Sequence, residues 1–333
     1  MKSETWLILY FPKYRALQLI DNHTKYKNMS KQKEHIRKRK QQKRQSRWLM
    51  VAGVLIVLSA GLWIVFASRQ SNKNSMLPIS RLSTNDFHSL AFSPTEPETV
   101  FFGHHDGLLV SQNGGKDWQP TTLTNTDAMV LGVPPSSPLT MYAAGHNVFV
   151  KSTDGGKTWQ SVPANLPGLD IHAFAVDPEN PKKVFAYVVS FGLFGSADGG
   201  MNWEALSLNI PSSIHGLAVG KDERTLYAAT SGAGLWHSQD GGRTWVPIQN
   251  VPSNGLITVA YVRANGRLYL TTLEPAVGLY YSDDGGQTWA SSGLKEILLA
   301  VAISPLDPNH IITVNDQGEV FGSRDGGITW SNE

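Results

Sequence analysis

The chain reads as all-β: a six-bladed β-propeller of four-stranded antiparallel blades, preceded by one N-terminal transmembrane helix. Three observations predict this. An eight-residue phrase ending on Trp occurs six times at even spacing, short β-rich runs fill the intervals, and one nineteen-residue stretch near the N-terminus carries no charge.

The phrase is "SQNGGKDW" from Ser111, "STDGGKTW" from Ser152, "SADGGMNW" from Ser196, "SQDGGRTW" from Ser238, "SDDGGQTW" from Ser282 and "SRDGGITW" from Ser323. The steps are 41, 44, 42, 44 and 41 residues, a period that marks propeller blades of four strands each. One interval, "IHAFAVDPENPKKVFAYVVSFGLFGSADGGMNWEAL", parses as strands over 172–176, 184–189 and 192–196, then a fourth from Trp203. Runs this short, bounded by Gly, Pro and Asn, fit no helical period.

Each residue type in the phrase has a physical task. Paired glycines supply the positive φ of a tight turn between third and fourth strands. The acid two places after Ser accepts bonds from that turn's N–H groups: Asp154, Asp198, Asp240, Asp284 and Asp325, with Asn113 in the first copy. Trp118, Trp159, Trp203, Trp245, Trp289 and Trp330 open the outer strand and plug the gap between blades. After Trp330 only "SNE" remains, too little for a strand, so "LPISRL" at 77–82 is expected to pair into the last blade and close the ring.

The pattern S-x-D-x-G-x-x-W resembles the Asp-box, or bacterial neuraminidase repeat. That repeat recurs in sialidases, xyloglucan-cleaving glycosidases, the sortilin ectodomain and a photosystem II assembly factor. The resemblance covers residues 84–333 and implies the fold. Its members include glycosyl hydrolases, receptors and assembly factors, so it selects no single function. It also implies that the box face is structural and the opposite face binds.

Residues 48–66, "WLMVAGVLIVLSAGLWIVF", are long enough at about 1.5 Å per residue to cross a hydrocarbon layer of roughly 30 Å. Nine basic residues and one Glu precede them in "KQKEHIRKRKQQKRQSR", and only Arg69 and Lys73 follow closely. The expectation is a cytoplasmic basic tail at 1–47, a single-pass helix at 48–66, a polar linker at 67–76 and an extracytoplasmic propeller at 77–333. Cleavage after Ala67 is the rival to anchoring, and Met29 the rival to Met1 as initiator. The style is that of a bacterial cell-surface protein.

The net charge of +2 hides an asymmetry. Residues 1–76 hold 16 Lys+Arg and 3 Asp+Glu of the chain's 29 and 27, which leaves an acidic propeller. An acidic domain argues against nucleic acid as partner. No cysteine is present, which excludes disulfides, thiolate nucleophiles and Cys-ligated zinc.

Strand direction puts the boxes on one face and places candidate binding residues on the other. They are Asp86, His88, His104, His105, Asp106, Asp127, His146, Asp170, His172, His215, Glu274, Glu296 and Asp316. His88, His172 and His215 share one slot of the repeat, filled by Met129, Ile257 and Leu299 in the other units. Three imidazoles around a channel could bind a divalent metal. The alternative, favoured because apolar residues fill half the slots, is a half-buried ring bonded to a neighbouring blade's backbone. The sequence therefore assigns no metal and no cofactor.

A sialidase needs an arginine cluster for its substrate carboxylate, and the propeller's six arginines include only Arg81 away from the box face. A neutral-sugar hydrolase needs two carboxyls about 5–9.5 Å apart, for which Asp106 and Asp170 are the candidates. Against it stands the scarcity of aromatic residues on that face, where Phe191 is the main one. The expectation is a non-catalytic binding or assembly module for a protein or glycan partner. A glycoside hydrolase and a histidine-based metal-binding module are the alternatives.

Overall fold

The structure is a computed structural model, and it describes residues 76–207 and 210–330. The predicted tail, membrane helix and all of the linker but Met76 lie outside the described residues. Among those described, no helix is long and apolar enough to cross a membrane.

The described chain is all strand and turn. A two-residue strand, β1 (Ser80–Arg81), comes first. Blade 1 follows as β2 (Ser89–Phe92), β3 (Val100–His104), β4 (Gly107–Ser111) and β5 (Gln119–Thr124). Blade 2 is β6 (Val130–Gly132), β7 (Met141–Gly145), β8 (Val148–Ser152) and β9 (Gln160–Ser161). Blade 3 is β10 (Ile171–Val176), β11 (Val184–Val188), β12 (Gly192–Ser196) and β13 (Glu204–Ser207). Blade 4 is β14 (Ile214–Val219), β15 (Leu226–Thr230), β16 (Leu235–Ser238) and β17 (Val246–Pro247). Blade 5 is β18 (Leu256–Val262), β19 (Arg267–Thr272), β20 (Gly278–Ser282) and β21 (Ala290–Ser291). Blade 6 has β22 (Leu298–Ile303), β23 (Ile311–Asn315) and β24 (Glu319–Ser323), and β1 is its fourth strand.

Closure follows the expectation from 77–82. Ser80 pairs antiparallel with Val320 and Arg81 with Glu319, flanked by Ile79 N–H to Val320 O and Leu82 N–H to Gly318 O, both 2.8 Å. The inner strands β2, β6, β10, β14, β18 and β22 neighbour one another in turn, and β22 returns to β2.

The core is six layers, one per blade interface. Phe102 and Val100 of blade 1, for example, pack with Ala300, Ile312 and Val314 of blade 6, and Trp118 lies against them. Each box Trp joins the layer between its own blade and the preceding one. Second strands such as β7, β11, β15 and β23 are buried throughout, because a blade interior has a neighbour on both faces. Four of the outer strands, β1, β9, β17 and β21, are only two residues long, and β17 carries Pro247, which an edge tolerates.

The boxes are built alike. Ser152 Oγ donates to Asp154 Oδ1 (2.8 Å) and accepts from Gly156 N–H (2.9 Å). Asp154 Oδ1 also accepts from Lys157 and Thr158 N–H, at 3.0 and 2.9 Å, and its Oδ2 from Thr158 Oγ1 at 2.6 Å. Asn113 holds the first turn by accepting from Ser111 Oγ and Asp117 N–H. Gly155 and Gly156 have φ of 74° and 84°, as the turn requires. One detail differs from expectation: regular strand pairing starts one residue after Trp in blades 1–5. The Trp still belongs to the turn, since its indole N–H donates back to the box glycine carbonyl, as in Trp203 to Gly200 at 2.7 Å.

Candidate functional site

The strand order places the box turns at one end of every blade and the inter-blade loops at the other. At that other end the repeated His slot is a β-bulge in blades 3–6. Pairing jumps from Ile171 to Ala173, Ile214 to Gly216, Leu256 to Thr258 and Leu298 to Ala300, skipping His172, His215, Ile257 and Leu299. A bulged residue leaves the ladder and its side chain is re-aimed. In blade 1 His88 stands just ahead of β2.

Five imidazoles form one row across blades 1–4. Ring centroids are 4.4 Å apart for His88–His105, 5.6 Å for His105–His146, 5.3 Å for His146–His172 and 6.4 Å for His172–His215. The three slot histidines do not meet at a central point, as a three-imidazole channel would require. His105 and His146, each placed just past its blade's second strand, come between them.

Asp86, Asp127 and Asp170 stand two residues ahead of the slot in blades 1, 2 and 3, and they line the row. In blades 1 and 2 the carboxylate holds the loop backbone: His105 N–H donates to Asp86 Oδ1 and His146 N–H to Asp127 Oδ2, both at 2.8 Å. Asp127 Oδ2 also lies 2.7 Å from His146 Nδ1. Gly145 makes this contact possible, since a Cβ there would fall 2.6 Å from the Asp127 carboxyl carbon. Blade 3 differs. There the Asp170 backbone carbonyl accepts from Val189 N–H at 2.9 Å, leaving the carboxylate free of that task. Asp170 Oδ1 lies 3.0 Å from His172 Nε2 and 3.8 Å from His146 Nε2.

The row is poorly satisfied. Among the described residues, His88 Nε2, Asp127 Oδ1, Asp170 Oδ1 and His172 Nε2 are buried polar atoms without a hydrogen-bond partner, joined only by Arg263 Nη2. The His172–Asp170 approach is thus close without being aligned as a hydrogen bond. For these rings, bonding to a neighbouring blade's backbone is not what the structure shows. Burial, and then the nearby His105, hold the His88 pKa below its ordinary 6.5, with Asp86 opposing, so His88 is neutral at pH 7.

The other candidates fall elsewhere. His104 is buried, turned from the row and stacked on Phe102 at 5.9 Å. With Asp106 it lines a cleft of about 550 Å³ beside blade 1's outer edge, which also contains Arg81, Asp117 and Trp118. Glu274 is exposed in blade 5, its carbonyl accepting from Ser253 Oγ. In blade 6, Asp316 N–H donates to Ile297 O, and Glu296 approaches Asn315 Nδ2 at 3.4 Å. Among the described residues, Arg243 pairs with Glu204, Arg263 with Asp177 and Glu179, Arg267 with Asp283 and Arg324 with Glu98. The loop-holding role of Asp86 and Asp127 had a sequence signal, the shared Asp position in units one to three.

Comparison with known proteins agrees with this architecture. The BNR/Asp-box repeat family matches residues 150–161 and 280–291. The repeats are Asp boxes. No curated protein matches the chain. Among solved structures, the Niastella koreensis GH74 enzyme superposes with a TM-score of 0.57 at 20% identity, over 78% of this chain and 46% of that one. The GH74 xyloglucanase from Xanthomonas campestris gives 0.56 at 18%, over 76% and 46%. YCF48 bound to D1 peptide gives 0.52 at 20%, over 76% and 82%. The chain thus spans about half the length of the two GH74 enzymes. At these identities the likeness shows the Asp-box propeller fold and no activity.

Proposed function

We propose that this chain is a membrane-tethered, extracytoplasmic propeller that binds a protein or glycan partner on the face opposite its Asp boxes and catalyses nothing. The observation that carries this reading is the polar row across blades 1–4, half-exposed and incompletely hydrogen-bonded, on the face where the loops vary. YCF48, a propeller of similar extent, is bound to a peptide in its solved structure, which supports a peptide-sized ligand. Tethering rests on residues 48–66 and their basic flank alone.

A glycoside hydrolase is the second reading, favoured by the GH74 likeness and by the cleft holding Asp106, Asp117 and Trp118. Geometry weighs against it. Asp106 and Asp117 lie at opposite ends of β4, a five-residue strand of roughly 15 Å, beyond the roughly 5–9.5 Å of a glycosidase pair. Asp170 belongs to the histidine row and does not line that cleft. The test is a polysaccharide panel incubated with the full chain in detergent, with Asp106→Asn and Asp170→Asn alongside. No release of reducing ends is expected. Hydrolysis that disappears in either variant would replace the binding reading with the hydrolase.

A further inference from the structure

We propose that His146, Asp170 and His172 form a binding site for one divalent transition-metal ion of the zinc class, with Asp127 as the carboxylate that orients His146. This inference is independent of the partner reading.

The geometry fits a two-histidine, one-carboxylate site. Zinc bonds of about 2.0–2.2 Å in a tetrahedron space neighbouring donor atoms roughly 3.3 Å apart. Asp170 Oδ1 stands 3.0 Å from His172 Nε2 and 3.8 Å from His146 Nε2, on either side of that value. One ligand atom from each of the three residues lies within 4.8 Å of the other two. Two of them, Asp170 Oδ1 and His172 Nε2, are buried and lack a hydrogen-bond partner, an arrangement that a shared cation would satisfy.

The surroundings are those of a metal site. A ligating histidine donates its other ring N–H to a carboxylate, which fixes the tautomer and orients the ring. His146 Nδ1 lies 2.7 Å from Asp127 Oδ2, which leaves Nε2 as the ligand atom. The bulge at His172 and the carbonyl bond of Asp170 supply the remaining two ligands by backbone geometry alone. His146 and Asp170 side chains are 48% and 45% exposed, so the site lies at the rim of the blades and not deep in the core. Blade 1 has a similar group, Asp86, His88 and His105. There Asp86 Oδ1 already accepts from His105 N–H, so blades 2 and 3 hold the better site.

The experiment uses the full chain, purified without a histidine tag and checked for folding by circular dichroism. Zinc affinity is measured by competition with a chromogenic chelator, and bound metal by elemental analysis after gel filtration. The expected result is one zinc per chain. His172→Ala and Asp170→Asn should each lower affinity at least 100-fold, and Asp127→Asn 10–100-fold. His104→Ala, whose ring turns away from the row, should leave it unchanged. Cobalt loading gives a second readout, the visible bands of a four-coordinate ion, lost in His172→Ala. Absence of stoichiometric zinc in the folded wild-type chain, or full retention in His172→Ala, overturns the site. So does loss in His88→Ala with retention in His172→Ala, which would put the ion in blade 1.

Discussion

On the box face, Asp154 engages both of its oxygens with its own turn, and four further blades repeat that arrangement with Asp198, Asp240, Asp284 and Asp325. On the opposite face Asp170, the same residue type on the same scaffold, leaves an oxygen unpartnered between two histidines. Even the histidines divide this way. His310, at the box end, is buried, edge-on to Phe92 at 4.6 Å and 3.0 Å from Arg324 Nη1, whereas His88 and His172 carry unpartnered nitrogens. A face whose polar groups satisfy one another locally can be repeated six times without regard to its neighbours. The other face leaves polar atoms without partners and differs from blade to blade, and that is where a ligand can be recognised.

The strongest way to break the comparison is to attack the box face's share of the core. Trp203 is almost fully buried between blades 2 and 3. Trp203→Ala should cost about 3–5 kcal/mol in urea unfolding, whereas His172→Ala on the opposite face should change stability by less than about 1 kcal/mol. Equal losses would mean that the two faces are not divided between structure and recognition.

Within the boxes, glycines should rank by the space around them. At Gly200, with φ of 93°, a Cβ would meet Phe149 at 2.6 Å, while at Gly241, with φ of 78°, it meets nothing within 4 Å. Gly200→Ala should therefore cost about 2–4 kcal/mol and Gly241→Ala about 1–2 kcal/mol, the latter from backbone strain alone. Thermal unfolding of both variants checks the order.

Gly145→Ala probes the other face. The added carbon would displace the Asp127 carboxylate, and zinc affinity should fall with little change in unfolding midpoint. An unaltered affinity would remove Asp127 from the proposed site's support.

The smallest effect is a pH dependence. Bonds from the Thr158 hydroxyl first, then from Thr158 N–H and Ser152, hold Asp154 at a pKa of about 2 instead of 3.8, and Asp284 behaves likewise through Thr288. A carboxyl whose folded pKa is depressed contributes stability that is fully present above its unfolded value and disappears as pH falls through its folded value. The box carboxylates' share of the urea midpoint should be level from pH 7 to about 5, then decline from about pH 4 toward 2. Asp154→Asn should make that decline shallower; an unchanged slope would show that the turn bonds do not couple to folding.

The sequence alone determined the repeat, the number of blades, the strand after residue 77 that closes the ring and the division into two faces. These follow from local chemistry: positive-φ glycines, a turn-bonding acid and a Trp at fixed offsets can be read along the chain without knowing what lies beside it. It also named His146, Asp127, Asp170 and His172 as members of one face. Only the tertiary structure decided that His105 and His146 interleave with the slot histidines, that His104 turns away, and that Asp170 is released while Asp86 and Asp127 are engaged. Those outcomes depend on a bulge, on the missing Cβ of Gly145 and on which oxygen of an aspartate meets a loop N–H from the strand pair beside it. Distances between side chains from different blades are set by the closure of the ring, and no spacing along a single chain encodes them.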